Sequence, residues 1–162
     1  FRDGRYMLDT VEEEMSGGSY NIVHFATHGE FSSDHSKSFL LTYDDKLTMD
    51  KLESTIGLRR FQTEPIELLV LSACKTAVGD DEAALGLAGI AIKAGARSAL
   101  ATLWYIDDNA TSALIADFYK QLGSGRNSKA KALQTAQVNM LKQKRLNHPT
   151  YWAPFLMIGN WL

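Results

Sequence analysis

The sequence predicts an α/β domain with a mostly parallel central sheet and helices on both faces. Short apolar runs bounded by turn residues, which are typical of buried strands, alternate along the chain with longer stretches of helical periodicity. The chain has 162 residues, enough for one domain with a substantial core, and 45% of them are hydrophobic and 22% charged, which is ordinary for a globular protein. Because strands and helices alternate, we expect crossover connections and therefore parallel strand pairing.

The first third of the chain predicts a helix, a strand, a hairpin and a second helix. A helix is expected over residues 8–16, where two glycines end it. The apolar run 20–26 predicts a strand buried on both faces. Residues 38–42 and 46–48 flank a turn and predict a hairpin, whose last threonine caps a helix over residues 49–58.

The rest of the chain predicts three more strands. They are expected over residues 66–73, 98–103 and 155–158, where short apolar runs lie between turn residues. A helix over residues 83–94 joins the first two of these strands and is expected to end at Gly95, since glycine is common at helix C-termini.

Two further helices lie between the last two strands. Asp107 or Asp108 caps the first of them, and Ser128 begins the second. Their apolar positions recur at helical spacing and are expected to face the core: Leu114, Ile115, Phe118 and Leu122 in the first helix, and Leu133, Ala136, Met140 and Leu141 in the second.

Charge and cysteine content argue against several classes of function. The net charge is −2, from 17 basic and 19 acidic residues, so the chain lacks the basic field that nucleic-acid binding usually needs. The apolar runs are too short to span a bilayer, and no signal peptide opens the chain. Cys74 is the only cysteine, which excludes an internal disulfide and favours a reducing, cytoplasmic location. The chain begins with Phe1, so we expect the C-terminal portion of a longer protein.

Groups that can perform chemistry follow the first two predicted strands of the sheet. In an open parallel sheet, ligands bind beyond the carboxyl ends of the strands. His28 follows one such strand and Cys74 ends the next, so both would lie at one edge of the sheet if the strands are neighbours. A thiolate is a strong nucleophile, and a histidine can generate it or protonate a leaving group. The backbone N–H groups of Gly29 and Cys74 are candidates for an oxyanion hole.

Structural interpretations of the same residues stay open. A lone cysteine at a strand end is often a small buried hydrophobe, and a histidine beside a glycine is often a turn residue. His24 and His28 are four residues apart, a spacing that could hold zinc on a helix. His24 lies inside a predicted strand, however, and no further ligands cluster with the two histidines. We therefore expect His24 to be a core histidine, and we expect neither a metal nor a cofactor. Phosphate-binding glycine motifs and G-x-S-x-G are absent from the sequence.

Two motifs resemble those of the CHAT domain family. Residues 20–31, YNIVHFATHGEF, are similar to the histidine motif of the family, and residues 68–77, LLVLSACKTA, to its cysteine motif. The similarity continues in order as far as residue 159 and so covers nearly the whole chain. It implies a caspase-like three-layer αβα sandwich in which His28 and Cys74 form the catalytic dyad of a cysteine endopeptidase. It also implies a protein or peptide substrate that adds a strand to the sheet edge, and control by an upstream sensor region or activator protein.

The chain departs from the family pattern in two respects. Many relatives carry an acidic residue where this chain has Lys75, and a lysine near a thiolate favours the charged form of the thiol. The domain of the family is also longer at its front. We therefore expect the sheet to lack its first strand or strands, unless they lie on another chain.

Substrate-binding residues are expected after the third strand of the sheet. Trp104, Asp107 and Asp108 follow that strand. The stretch resembles the corresponding one in separases, where an acid four places after the tryptophan faces a P1 arginine, and Asp108 holds that place here. The alternative is that both aspartates only cap a helix. Two alternatives to the protease also stay open: a catalytically inactive caspase-like protein-binding module, and, ranked last, a flavodoxin-like small-molecule domain.

Overall fold

The computed structural model describes residues 1–30, 32, 37–59, 65–72, 89, 91–92, 95–104 and 106–162. Apart from one two-residue strand and two short 3-10 helices (Asp3–Arg5 and Pro149–Tyr151), the elements in this part of the chain are those that the sequence predicts, with bounds that agree to within a few residues. The helices are α1 (Leu8–Gly17), α2 (Met49–Arg59), α3 (Asp108–Gly123) and α4 (Lys129–Leu141). The strands are β1 (Ile22–Phe25), β2 (Gly29–Glu30), β3 (Phe39–Leu41), β4 (Lys46–Thr48), β5 (Leu68–Leu71), β6 (Ser98–Thr102) and β7 (Phe155–Gly159).

A four-stranded sheet in the order β1-β5-β6-β7 forms the centre of the fold. β1 pairs with β5 in parallel, β5 pairs with β6 in parallel, and β7 is antiparallel to β6. Helices cover both faces of this sheet, α1 and α2 on one face and α3 and α4 on the other. The predicted mixed α/β class with a mostly parallel sheet is confirmed, and the arrangement agrees with a caspase-like αβα sandwich.

Alternation along β5 divides the core into two clusters. Leu69 and Leu71 point toward α1 and α2, whereas Leu68 and Val70 point toward α3 and α4, and all four side chains are buried. Successive side chains of a strand point to opposite faces, so a strand with helices on both sides must be apolar at every position. The continuous apolar run that predicted this strand therefore reflects its central place in the sheet.

The prediction that residues 20–26 form a strand buried on both faces is wrong. β1 lies at the edge of the sheet among the strands that the structure describes. Phe25 is buried in the cluster beside α1 and α2, whereas Ile22 and His24, which point to the opposite face, are exposed. The helices α3 and α4 bury their apolar side chains against β5 and β6 and leave this face of β1 uncovered.

The predicted hairpin is confirmed and belongs to a separate three-stranded sheet. β3 and β4 pair in antiparallel fashion, and β2 adds to the other side of β3. Thr48 accepts a hydrogen bond from the Lys51 N–H at 3.4 Å at the start of α2, as its predicted role as a cap requires. At the hairpin turn, Asp44 accepts the N–H of Leu8 at 2.9 Å and so ties the turn to the start of α1.

The later helices begin and end largely as the sequence predicts. Ser128 caps α4, and the first three of the four α3 stripe residues, Leu114, Ile115 and Phe118, are buried. Leu141 is 44% exposed, so its predicted place in the core is wrong, because it lies outside the face of α4 that Leu133, Ala136 and Met140 bury. Most of the predicted helix over residues 83–94 lies outside the described residues. Gly95, at which this helix was predicted to end, has a φ of +113°, a conformation that glycine readily adopts after a helix. Within the described residues, no helix is both long and apolar enough to cross a bilayer.

Candidate active site

The parallel pairing of β1, β5 and β6 brings the ends of three strands to one edge of the sheet. Phe25 ends β1 opposite Leu71, which ends β5, and the N–H of the next residue, Ser72, donates to the carbonyl oxygen of Phe25 at 3.1 Å. The segment that contains His28 and the segment that contains Ser72 therefore leave the sheet side by side. The sequence predicted this shared edge from the order of its strands, and the register confirms it.

A cleft of about 590 Å³ opens at this edge, between the end of β1 and helix α3. On the sheet side, polar side chains that follow or belong to the two strands line it: His24, Thr27, His28 and Ser72. On the helix side, one face of α3 lines it with residues three or four positions apart: Asp108, Thr111, Ser112, Ile115, Ala116 and Tyr119. Because a helix rises 1.5 Å per residue, this lining runs for roughly 16 Å along the cleft.

His28 is held by its backbone while its imidazole stays exposed in the cleft. Its carbonyl oxygen accepts the N–H of Leu41 at 2.7 Å, and the hydroxyl of Thr27 donates to the carbonyl oxygen of Leu41 at 2.7 Å. These bonds fasten the chain on either side of His28 to β3. The side chain is exposed and lines the cleft, so it is accessible to a ligand there.

Gly29 occupies a position in the β2–β3 ladder that does not use its N–H. It is paired with Leu40, and the bond from Leu41 to His28 flanks this pair. In an antiparallel ladder, a pair next to a hydrogen-bonded pair is not itself hydrogen-bonded, and its N–H groups point away from the partner strand. The ladder therefore does not use the N–H of Gly29, although Gly29 itself is buried and does not line the cleft.

His24 contacts the residue that follows β5. Its Nε2 lies 2.8 Å from the Oγ of Ser72, and its ring centroid lies 5.7 Å from that of Tyr119. The residue as a whole is exposed, so the prediction of a core histidine is wrong. The part of the ring that these neighbours enclose is sufficiently removed from water for burial to lower the pKa of His24.

Sequence reasoning missed five polar residues of the cleft: Thr27, Ser72, Thr111, Ser112 and Tyr119. Ser72 was part of the cysteine motif, but its contact with His24 follows only from the register, which places them on one face of the sheet two positions apart. The hydroxyls of Tyr119 and Thr111 are buried and have no hydrogen-bond partner among the described residues. Burial raises the pKa of Tyr119 to about 12, so its hydroxyl stays protonated at neutral pH. The spacing of these two residues on α3 was the signal that they share a face.

The two aspartates at the start of α3 have different surroundings. Asp107 is the N-cap, and its carboxylate accepts the N–H groups of Asn109 at 3.0 Å and Ala110 at 3.1 Å. Asp108 is the first residue of the helix and lines the cleft together with His28. Its side chain makes no hydrogen bond or ion pair with any residue in the described part of the chain.

The remaining predicted site residues are not brought into the cleft by the described structure. Trp104 is 39% exposed, does not line the cleft and donates its Nε1–H to the carbonyl oxygen of Thr150 at 3.2 Å. Cys74 and Lys75 belong to residues 73–88, which lie outside the described residues. The roles given to Trp104 and Cys74 stay predictions.

Comparison with models of protein families matches the CHAT domain to residues 2–160. The chain belongs to the CHAT domain family. This confirms the resemblance seen in the two motifs and relates the chain to the caspase-like proteases. A comparison of this CHAT domain with curated proteins gives no match.

Proposed function

We propose that this CHAT domain is a cysteine endopeptidase with Cys74 as nucleophile and His28 as its proton-transfer partner. The observation that carries the proposal is the parallel pairing of β1 with β5, which sets Ser72 beside the end of β1 in the cleft that His28 lines. Cys74 is two residues after Ser72, and two residues of chain span at most about 7 Å. This short length of chain supports Cys74 as the nucleophile that His28 serves.

The proposed reaction follows the usual course for a thiol nucleophile. The thiolate sulfur of Cys74 adds to the peptide carbonyl, and the backbone N–H groups of Gly29 and Cys74 donate to the resulting oxyanion. His28 gives a proton to the departing amine, and a water molecule then hydrolyses the thioester. The unused N–H of Gly29 in the β2–β3 ladder and the exposed ring of His28 support these two roles.

Within this function, we infer that Asp108 receives a basic P1 side chain. A carboxylate in a cleft pairs with arginine in bidentate fashion. Asp107 is engaged as the cap of α3, whereas Asp108 lines the cleft and has no partner in the described part of the chain. The alternative explanation of the pair as helix caps thus accounts for Asp107 alone.

The proposal extends to a regulatory partner and a reducing location. On the face of β1 that points toward α3, Ile22 is 44% exposed. An edge strand with an apolar side chain exposed favours contact with a further protein segment, in line with an upstream regulatory region or an activator protein. A cytoplasmic location suits the chemistry, because the nucleophile must remain a free thiol.

The test compares purified variants on a peptide library, with cleavage products identified by mass spectrometry. Cys74→Ala is expected to abolish turnover, and His28→Ala to lower kcat about 10²- to 10⁴-fold, while both proteins stay folded. His148→Ala is the matched control, because His148 is exposed and does not line the cleft. A thiol alkylator should label Cys74 faster in the folded wild type than in the urea-unfolded chain. Full turnover by folded Cys74→Ala would contradict the proposal and favour the inactive binding module.

A further inference from the structure

A chain of hydrogen bonds joins β1 to the residue that follows β5. The hydroxyl of Ser72 lies 2.8 Å from His24 Nε2 and donates to the carbonyl oxygen of Phe25 at 3.3 Å. The N–H of Ser72 donates to the same carbonyl oxygen at 3.1 Å. Ser72 is thus held to β1 by its backbone and by both hydrogen-bonding directions of its side chain.

The single proton of the Ser72 hydroxyl determines which group donates in each of these hydrogen bonds. A serine hydroxyl has one proton and two lone pairs. If that proton goes to the carbonyl oxygen of Phe25, the Ser72 oxygen must accept from His24, so His24 carries its proton on Nε2. Only this arrangement satisfies both contacts of the hydroxyl. The ring of Tyr119, 5.7 Å away, packs against His24 and restricts its rotation.

We propose that His24 and Ser72 are positioning residues, which set the geometry between His28 and Cys74 by locking the start of the cysteine segment to β1. This inference rests on the proposed function. Phe25, which accepts from Ser72, is three residues before His28, and Ser72 is two residues before Cys74. The hydrogen-bond chain therefore crosses between the two strands within a few residues of both members of the dyad. A misplacement of about 1 Å between reacting groups can cost on the order of 10²-fold in rate.

The hydrogen bond between His24 and Ser72 accounts for two polar side chains at neighbouring strand ends. His24 lies in β1, and Ser72 follows four buried apolar residues of β5. Neither side chain contributes to the two hydrophobic clusters of the domain. Removing either one should therefore change the geometry at the strand ends more than it changes the stability of the fold.

The test measures kcat and KM on the peptide that the wild type cleaves best. Ser72→Ala and His24→Phe are expected to lower kcat about 10- to 100-fold with KM changed less than about threefold, because the loss concerns the reacting geometry and not substrate binding. Ser72→Thr keeps the hydroxyl and His24→Gln keeps a donor near the place of Nε2, so both should recover kcat to within about threefold of the wild type. Ser54→Ala, on α2 at the other face of the sheet, is the matched serine control.

A double variant and a second readout separate positioning from a general loss of structure. His24→Phe with Ser72→Ala should be no worse than the poorer single variant, because both break the same chain. The rate at which iodoacetamide labels Cys74 at neutral pH should fall at least about threefold in each single variant while the thermal midpoint stays near that of Ser54→Ala.

The outcomes distinguish this inference from the proposed function. If Cys74→Ala and His28→Ala keep wild-type turnover in the same assay, the proposed function fails and the positioning role fails with it. If those two variants are inactive while Ser72→Ala and His24→Phe retain wild-type kcat and labelling rate, only the positioning role is overturned. Multiplicative losses in the double variant would also overturn it, since they would mean that the two residues act independently.

Discussion

Two neighbouring aspartates at the start of α3 should respond differently to substitution, because the structure uses them differently. Asp107 satisfies two of the four N–H groups that a helix leaves free in its first turn, those of Asn109 and Ala110. Asp107→Ala removes both bonds and should cost about 1 kcal/mol, the usual loss for an N-cap. In a domain of this size, that corresponds to a fall of roughly 2–4 °C in the thermal midpoint. Asp107→Asn keeps an acceptor in place and should restore most of the loss.

Asp108→Asn should change selectivity and leave stability almost intact. The substitution removes no hydrogen bond that α3 needs, and only the weak attraction of the carboxylate to the helix dipole is lost. If Asp108 pairs with a P1 arginine, the lost charge-assisted hydrogen bonds are worth about 1.5–3 kcal/mol. Since about 1.4 kcal/mol is tenfold, kcat/KM for the arginine substrate should fall about 10- to 100-fold.

The assay pairs thermal unfolding, followed by circular dichroism, with kcat/KM on peptides that differ only at P1. Arginine, lysine, leucine, methionine and aspartate at P1 are compared in the wild type, Asp107→Ala, Asp107→Asn and Asp108→Asn. The reasoning fails if Asp108→Asn keeps a preference for arginine or lysine. It fails as well if the wild type prefers an apolar or acidic P1, or if Asp107→Ala alters P1 preference at unchanged stability.

Three further predictions concern packing, backbone geometry and pH. Leu133→Ala should lower the free energy of unfolding by about 2–5 kcal/mol and Leu141→Ala by less than about 0.5 kcal/mol, because only the first leucine of α4 is buried; urea denaturation of the two variants checks this. Gly159→Ala should be more destabilising than Gly125→Ala in the same experiment: both glycines have positive φ, but only at Gly159 would a Cβ collide with a backbone carbonyl just before β6. Burial lowers the pKa of His24, so as the pH falls below about 6.5 the unfolded chain binds a proton at this residue before the folded protein does, and the free energy of unfolding should fall. The measurement is the difference in unfolding free energy between the wild type and His24→Gln from pH 7.5 to 5. This difference should decrease as the pH falls, and it would be independent of pH if the ring were fully hydrated.

Central strands and helix caps could be predicted from the sequence because their causes are local. Four consecutive apolar residues in β5 require helices on both faces, and each of these side chains is buried. Asp107 and Ser128 follow the known preference for a short polar side chain before a helix, and both accept N–H groups of the first turn. The sequence placed the ends of β1 and β5 at one edge on the condition that the strands are neighbours, and the register shows that they are.

The exposure of β1 could not be predicted from its own residues. The run that contains Ile22 and Phe25 is mostly apolar, and its burial depends on what lies beside it. In the described part of the chain, α3 packs its apolar side chains over β5 and β6, and one face of β1 stays open. Periodicity reports which residues can be buried, while the number and placement of neighbouring elements decide which of them are.

The same dependence on neighbours explains why the contact of His24 with Ser72 was missed. Within β1, a histidine between apolar residues suggests a core position, and only the pairing with β5 reveals that Ser72 lies beside it on the same face. Since His24 as a whole is exposed, a place in the core does not explain it, and its hydrogen bond to Ser72 becomes the feature that requires a reason. Ser72 is two residues from Cys74. The contact between His24 and Ser72 links the strand that precedes His28 to the segment that contains Cys74. We therefore attribute the presence of these two polar residues and the geometry of the proposed dyad to the same cross-strand contact.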